Sequence, residues 1–123
     1  MRVSAILERK GRAVSQARPD VPIRVAVKRM RLEHIGALLI CDPGGPIQGL
    51  LSERDIVEGL AEHGAELLDM PASAVMRRGP ITCRSGDEVK TVMALMTRHR
   101  VRHVPVVDGG AHPGLLLVLA GQD

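Results

Sequence analysis

Two stretches of the chain carry the same pattern of apolar and polar positions. In each stretch, apolar residues recur at spacings of three, four and seven, and each position of the second stretch lies 66 residues after its counterpart. The two stripes consist of Ile23, Ala26, Val27 and Met30, and of Val89, Val92, Met93 and Met96. This spacing places apolar side chains on one face of an α-helix. The pattern therefore predicts two equivalent amphipathic helices.

The surroundings of the two stripes repeat as well. Each stripe is followed by an apolar run that predicts a buried strand, then a turn rich in Asp and Gly, then a second strand that contains Gly-Leu-Leu. The predicted strands are Ala37–Cys41 and Ile47–Leu51 in the first copy, and Val104–Val107 and Gly114–Leu119 in the second. A unit of this size cannot bury its apolar face alone, so we expect the two copies to pack together, with a ligand cleft between them.

Capping signals set the expected ends of the helices. Asp20 is the expected N-cap of the first striped helix, with Pro22 in its first turn, and the helix runs to about His34 before Gly36 ends it. Another helix is expected to start at Ser52 and to close at Gly64. The second striped helix is expected from Glu88 to His99.

Composition narrows the class of protein. The chain has 123 residues, is 45% hydrophobic, carries a net charge of +3 and contains no Phe, Tyr or Trp. Without aromatic stacking platforms, a nucleic-acid role is disfavoured. No apolar run has membrane-spanning length and no signal-peptide core follows Met1, so we expect a cytoplasmic protein without membrane contact. The cysteines and histidines show no ligand spacing, so no metal is expected.

Two segments carry a family resemblance. Gly49-Leu50-Leu51-Ser52-Glu53-Arg54-Asp55-Ile56-Val57 resembles the glycine, apolar pair, Ser/Thr and Asp signature of CBS domains, and Arg102–Val107 resembles their second strand. The chain thus resembles a tandem CBS-domain protein, also called a Bateman module. The resemblance implies an α/β fold of two βαββα repeats packed through their sheets. The expected division is repeat 1 over 1–64, a connection over 65–72, and repeat 2 over 73–123, truncated before its final helix.

The resemblance also implies a function. Such modules regulate other processes by binding AMP, ADP, ATP, S-adenosylmethionine or a dinucleotide, and they often form dimers. We therefore expect a non-enzymatic sensor of an adenosine ligand that needs no cofactor and acts through its own homodimerisation or through an unidentified effector protein. The alternative is a structural or dimerisation module whose pocket is degenerate and binds no ligand.

Ser52 and Asp55 are the leading candidates for ligand contacts. A helix that starts at Ser52 would present free backbone N–H groups to a phosphate, and a carboxylate beside them can accept both hydroxyls of a ribose. Asp55 is thus the candidate ribose ligand, with Ser52 donating toward phosphate or capping the helix. The same tetrad is also a plain capping box. Arg54 is a further candidate for phosphate.

The second copy lacks this chemistry. With Gly49 aligned to Gly114, Leu117 stands opposite Ser52 and Ala120 opposite Asp55. Neither side chain can hydrogen-bond a ribose or a phosphate, so we expect a single well-equipped site in each chain.

The remaining candidates come from the positions that the fold implies for them. Basic side chains before the middle strand of the second copy could hold phosphate, and small or aliphatic residues could line the adenine. The phosphate candidates are Arg100, Arg102 and His103, and the lining candidates are Val14, Ser15, Ile35 and Ala37. The absence of a final helix is expected to leave Leu115–Leu119 uncovered, which favours self-association.

Overall fold

The structure is a computed structural model that describes residues 1–10, 14–109 and 116–118, with only the backbone at Lys10 and at 116–118. Four α-helices and six strands make up most of this part of the chain. The helices are α1 (Val3–Lys10), α2 (Ile23–Glu33), α3 (Glu53–His63) and α4 (Val89–His99). The strands are β1 (Gln16–Ala17), β2 (Ala37–Ile40), β3 (Gly49–Ser52), β4 (Arg77–Arg78), β5 (His103–Pro105) and β6 (Leu116–Val118). Two 3₁₀ segments, Gly64–Asp69 and Ala72–Ala74, lie between α3 and β4.

The chain divides into two compact units. The central unit comprises Ser15–Gly79, and the terminal unit combines Met1–Val14 with Pro80–Asp123. The expected repeats over 1–64 and 73–123 are divisions of the sequence, whereas these units are divisions in space. They differ because the beginning of each sequence copy packs into the unit built by the other copy.

The central unit is a four-stranded sheet in the order β1-β2-β3-β4. Strand β1 runs parallel to β2, as expected for strands joined through α2, and β2, β3 and β4 pair antiparallel. The apolar stripe of α2 packs on this sheet together with Leu67 of the first 3₁₀ segment. The buried residues of this core are Ala17, Ile23, Ala26, Met30, Leu38, Ile40, Leu51, Leu67, Ala72 and Met76.

The terminal unit repeats this arrangement in part. Helix α4 packs beside the antiparallel pair β5 and β6, and Cys83 forms a parallel bridge with Val106. Helix α1 supplies Val3 and Leu7 to the same core. The buried residues are Val3, Leu7, Cys83, Val92, Met96, Val104 and Val106.

Backbone pairing relates the beginnings of the two copies. The amide of Val3 donates to the carbonyl of Asp87 at 2.8 Å, and the amide of Ala72 donates to the carbonyl of Val21 at 2.8 Å. Each bond thus joins a residue at or next to the beginning of one copy to the residue two positions before the striped helix of the other. The exchange places α1 in the terminal unit and the segment that starts at Ala72 in the central unit.

The predicted elements are present, and α2 ends near His34 as expected, but the residues at its two ends have other roles than expected. Pro22 itself occupies the N-cap of α2 without any side-chain cap, while Asp20 forms an exposed ion pair with Arg18 at 3.7 Å. Helix α2 ends at His34, which adopts the left-handed conformation at φ 54°, and not at Gly36. Arg100 ends α4 in the same way at φ 55°. The expected closure of α3 at Gly64 is confirmed.

Pairing in the two hairpins corrects the alignment of the second copy. Leu38 pairs with Leu51 in the central unit, and Val104 pairs with Leu117 in the terminal unit. Val104 and Leu117 therefore each lie 66 positions after their counterparts, whereas aligning Gly49 with Gly114 gave an offset of 65. The structural counterpart of Ser52 is Val118, not Leu117.

Candidate functional site

The N-terminus of α3 brings Ser52 and Asp55 into direct contact. Strand β3 runs straight into the helix, and Ser52 is the N-cap residue in an extended conformation. The Asp55 Oδ2 atom accepts hydrogen bonds from the Ser52 backbone N–H at 2.8 Å and from the Ser52 hydroxyl at 2.9 Å. The Ser52 Oγ atom in turn accepts from the Asp55 backbone N–H at 3.3 Å. The capping-box interpretation is therefore correct for this tetrad.

This capping uses the backbone groups that were expected to face a phosphate. The N–H of Glu53 donates to the carbonyl of Gly36 at 3.0 Å, and those of Ser52 and Asp55 are satisfied within the box. The backbone N–H groups of these three residues are thus already paired and not free, contrary to expectation. A phosphate seat at a helix N-terminus needs such groups unpaired.

The carboxylate of Asp55 keeps one acceptor oxygen available. Oδ2 takes both hydrogen bonds from Ser52, whereas Oδ1 has no hydrogen-bond partner among the described residues. The side chain is half-buried, and the two hydrogen bonds to Oδ2 fix its position. A fixed carboxylate oxygen of this kind can accept hydrogen bonds from hydroxyl groups.

Arg54 is oriented along the surface of α3. Its Nε atom lies 3.1 Å from Glu58 Oε1, one helical turn further on, and both side chains are exposed. An i, i+4 pair of this type stabilises the helix by a few tenths of a kcal/mol, roughly 0.3–0.5. Its proposed phosphate role would require this pair to open.

Three lining candidates lie near the same end of the sheet. Ala37 is buried and pairs directly with Ser52, and half-buried Ile35 lies two residues before it. Ser15 lies next to β2, where its carbonyl accepts from the Leu39 amide at 3.1 Å. In the central unit, Ser15 therefore lies immediately before β1, Ala37 begins β2 and Ser52 ends β3. Val14 is half-buried and belongs to the terminal unit.

Arg29 was missed by the sequence analysis, although it fixes this end of β1. Its guanidinium donates to the Gln16 carbonyl at 2.7 Å and to the Ser15 Oγ atom at 2.6 Å. A third contact runs to Glu33 at 3.4 Å. The only signal in the sequence is the i, i+4 spacing of Arg29 and Glu33.

The basic candidates lie in the terminal unit. Arg100 is the exposed left-handed residue after α4, Arg102 is exposed, and His103 is half-buried at the start of β5. His103 pairs with Val118, so the hairpin position that holds Ser52 in the central unit holds an apolar residue here. Extending the same offset places Gly121 opposite Asp55. Gly121, Ala120, Leu115 and Leu119 lie outside the described residues, and so do the side chains between Leu115 and Leu119.

A hollow in the terminal unit surrounds Cys83. It is lined by Thr82, Cys83, Arg84, Asp87, Val107 and Gly109. Burial, and then the charges of Asp87 and Asp108, raise the pKa of the Cys83 thiol from 9.0 to about 11. Burial and Asp42 likewise raise the pKa of Cys41. Both thiols thus stay protonated at neutral pH and are poor nucleophiles.

A larger apolar groove lies on the helical side of the central unit. It has a volume of about 480 Å³ and runs between α2 and α3. Its lining consists of Val27, Met30, Arg31, His34, Ile35, Glu53, Ile56 and Val57. This groove was not predicted from the sequence; the available signal was the apolar side chain of Val57 in the second turn of α3. Across the described ranges there is no cluster of metal-binding side chains, and none of the helices has the length and apolar character of a membrane span.

The CBS domain family profile matches residues 12–62 and 72–116, which is most of the chain. The protein therefore belongs to the CBS-domain family, and the resemblance found in the sequence is confirmed. Its fold is the α/β fold of a CBS pair.

Individual relatives agree with this assignment. The CBS domain-containing protein CBSCBSPB5 of Arabidopsis thaliana is 31% identical over 91 residues, which cover 74% of this chain but only 17% of that protein. A solved CBS-domain containing protein from Agrobacterium tumefaciens is 32% identical, with a TM-score of 0.91 over 96% of this chain and 93% of that one. A CBS domain pair solved with 5′-methylthioadenosine and S-adenosyl-L-methionine has a TM-score of 0.84 at 24% identity, covering 96% and 89% of the two chains.

Proposed function

We propose that this chain is a regulatory module that binds one adenosine-containing ligand, with Asp55 as the ribose acceptor. The observation that carries the proposal is the half-buried Asp55 carboxylate, held through Oδ2 while Oδ1 remains available. A ribose with two adjacent hydroxyls is suited to such an acceptor. The related CBS pair solved with two adenosine ligands supports this choice of ligand class.

The proposed contacts divide the ligand into a ribose, an adenine and an optional phosphate. Asp55 accepts from the ribose, while Ser52 serves mainly to hold Asp55 through the capping box. Ser15, Ile35 and Ala37 offer small and aliphatic surface to the adenine, and Val14 stays a candidate for the same role. In this proposal, basic side chains bind any phosphate of the ligand, because the backbone N–H groups at the start of α3 are already paired.

The phosphate candidates remain predictions with a direct test. If Arg54, Arg100, Arg102 or His103 holds phosphate, replacing that residue by Ala should weaken binding of ATP and leave binding of adenosine unchanged. An equal loss for both ligands would contradict a phosphate role.

The proposed signal is a change in association. A ligand shifts an equilibrium only by binding one state more tightly than another. We propose that the ligand changes either the homodimerisation of this chain or its docking to an effector protein. The role is one of binding, without a catalytic step and without a required cofactor, in the cytoplasm.

Isothermal titration with AMP, ATP, S-adenosylmethionine and NAD tests the proposal. We expect one site per chain, and Asp55→Ala should weaken binding by about 1.5–3 kcal/mol because a charged acceptor is removed. Glu62→Ala is the matched control, since this exposed glutamate lies two turns further along the same helix and away from the Arg54–Glu58 pair. Because losing the cap also costs about 1 kcal/mol of stability, the titrations belong well below the melting temperature.

Two outcomes would contradict the proposal. Equal affinity of wild type and Asp55→Ala would remove Asp55 from the site, and two equal sites would contradict the difference between the copies. If no ligand produces a thermal shift at millimolar concentration, the ligand-free structural or dimerisation module becomes the better description. The replacement of Ser52 by Val118 in the second copy is what favours this alternative.

A further inference from the structure

The corner between α4 and β5 carries a dense group of basic side chains. Five of the six residues from 98 to 103 are basic, and together they are named the basic corner: Arg98, His99, Arg100, Arg102 and His103. All of them except His103 are exposed. Residues 89–107 contain no aspartate and no glutamate. The basic corner is therefore a cationic surface with no acid in the segment of chain around it.

The acids nearest to the basic corner along the chain lie at the far ends of the two elements. Asp87 and Glu88 precede α4, whose 11 residues place them roughly 15 Å from its last turn. Asp108 lies five positions after His103, which is roughly 16 Å along an extended chain. Both distances exceed the Debye length of about 8 Å at physiological salt. These acids therefore neutralise the basic corner only weakly.

Two members of the basic corner have unpaired side chains. Among the described residues, neither Arg98 nor His99 forms an ion pair or a side-chain hydrogen bond. By contrast, Arg29 on α2 and Arg54 on α3 each pair with a glutamate one helical turn further on. The charge of Arg98 is thus available to a partner.

The matching corner of the central unit shows that the fold does not require these charges. Helices α2 and α4 both end on a left-handed residue whose amide donates to carbonyls of the last turn. The positions 66 residues before the basic corner hold no lysine or arginine; they are Leu32, Glu33, His34, Gly36 and Ala37. The same turn of the backbone forms without the arginines, so ending the helix does not explain them.

We propose that the basic corner is the docking surface for an acidic segment of the effector protein. The inference rests on the effector-docking step of the proposed function and gives the partner's chemistry. Arginine binds a carboxylate through two parallel hydrogen bonds. Three arginines within residues 98–102 can therefore hold several aspartates or glutamates at once. Nucleic acid fits less well, because the chain has no aromatic side chain on which bases could stack.

Fluorescence anisotropy of the full chain with a fluorescein-labelled oligoglutamate peptide tests the docking surface. Arg98 is the residue to change, because it is not a phosphate candidate of the ligand site. Arg98→Glu should raise the dissociation constant of the peptide at least about tenfold, because repulsion replaces attraction. Lys90→Glu is the matched control. It makes the same change of charge on the same helix, roughly 12 Å away, and should stay within about twofold of wild type.

A second variant, Arg100→Gly, separates charge from structure. Residue 100 has a φ of 55°, which glycine adopts more easily than arginine, so the variant should be at least as stable as wild type. Its affinity for the peptide should nevertheless fall at least about threefold, because one cation is lost. Thermal unfolding measures the stability. A purely structural role of the basic corner would instead leave binding intact in a stable variant.

The results separate this inference from the sensor proposal. No binding of the peptide at about 100 μM wild-type protein, or equal losses in Arg98→Glu and Lys90→Glu, would overturn the docking surface. Tighter binding of a single-stranded oligothymidine than of the peptide would also overturn it, in favour of nucleic acid. Titration of AMP into the same samples tests the sensor. If AMP binds and the peptide does not, only this inference fails. If the peptide follows the expected order while no adenosine ligand binds, the docking surface stands and the sensor function fails.

Discussion

The central and terminal units are built to one plan, and they differ where chemistry could occur. The parallel pair of Ala17 with Ile40 corresponds to the bridge of Cys83 with Val106, 66 residues later, and both striped helices end on a left-handed residue. At the end of the hairpin, however, Ser52 in the central unit corresponds to Val118 in the terminal unit. Packing positions have thus kept their character, while the sequence counterparts of the polar capping pair, Val118 and Gly121, carry no polar side chain.

The beginnings of the two copies show a second difference. In the terminal unit this segment is the eight-residue helix α1, whereas in the central unit it is a 3₁₀ turn followed by strand β4. Both nevertheless place an apolar residue at corresponding depth, Leu7 at 2% exposure and Met76 at 7%. The same burial is therefore achieved by two different backbone conformations.

The largest expected effect comes from removing these anchoring side chains. Leu7→Ala and Met76→Ala should each lower the free energy of unfolding by about 2–5 kcal/mol, because each leaves a cavity in a packed core. Urea denaturation followed by far-ultraviolet circular dichroism measures this. Exposed Glu8→Ala is the control and should stay within about 0.5 kcal/mol. A Leu7→Ala variant as stable as the control would contradict the exchange of the two beginnings.

A smaller loss of stability is expected from replacing Gly49, which lies in the central unit. A Cβ atom there would lie 2.5 Å from Met76 Sδ and 2.9 Å from the Arg77 carbonyl oxygen, and the backbone atom cannot move aside without displacing β4. Gly49→Ala should cost about 1–3 kcal/mol of stability, as overpacking does. At Gly86, in the terminal unit, a Cβ would meet nothing within 4 Å. Thermal unfolding of Gly86→Ala should therefore match wild type closely, and equal losses at both sites would contradict the clash.

The smallest effect concerns Cys83, which occupies the position that Ala17 holds in the central unit. Its pKa is raised to about 11, so between pH 9 and pH 11 the unfolded chain loses the thiol proton while the folded chain retains it. The stability contributed by the raised pKa is present below pH 9 and is lost as the pH rises through 11. Cys83→Ala should flatten the fall in unfolding free energy across this window. Identical slopes for variant and wild type would show that the thiol is not shielded.

Most elements of the fold could be predicted because their signals are local. The stripes from Ile23 and Val89 gave α2 and α4, and the Ser52–Asp55 tetrad gave the start of α3. The end of α2 near His34 was predicted correctly, but the residue expected to terminate it was Gly36, because glycine most easily adopts a positive φ. The chain turns at His34 instead, where the amide can still reach the Met30 and Arg31 carbonyls.

The alignment error has an equally specific cause. Gly49 and Gly114 were taken as equivalent because both precede a Leu-Leu pair, yet Gly49 is a glycine for the close approach of Met76 in its own unit. The strand pairing of Val104 with Leu117 shows the true offset. The exchange of the copy beginnings and the α2–α3 groove arise from tertiary packing, which single-sequence periodicity does not report.

The exchange also has a consequence for the order of folding. All residues of the central unit, Ser15–Gly79, leave the ribosome before those of the terminal unit are complete. The terminal unit must join Arg2 to Gly86, 84 positions apart, and such distant contacts close later than local ones. We expect the amides of β2 and β3 to gain protection before those of β5 when refolding is followed by pulsed hydrogen exchange. Until residues near Val92 and Val106 are synthesised, helix α1 lacks the core that buries Val3 and Leu7. These apolar side chains therefore remain exposed during synthesis.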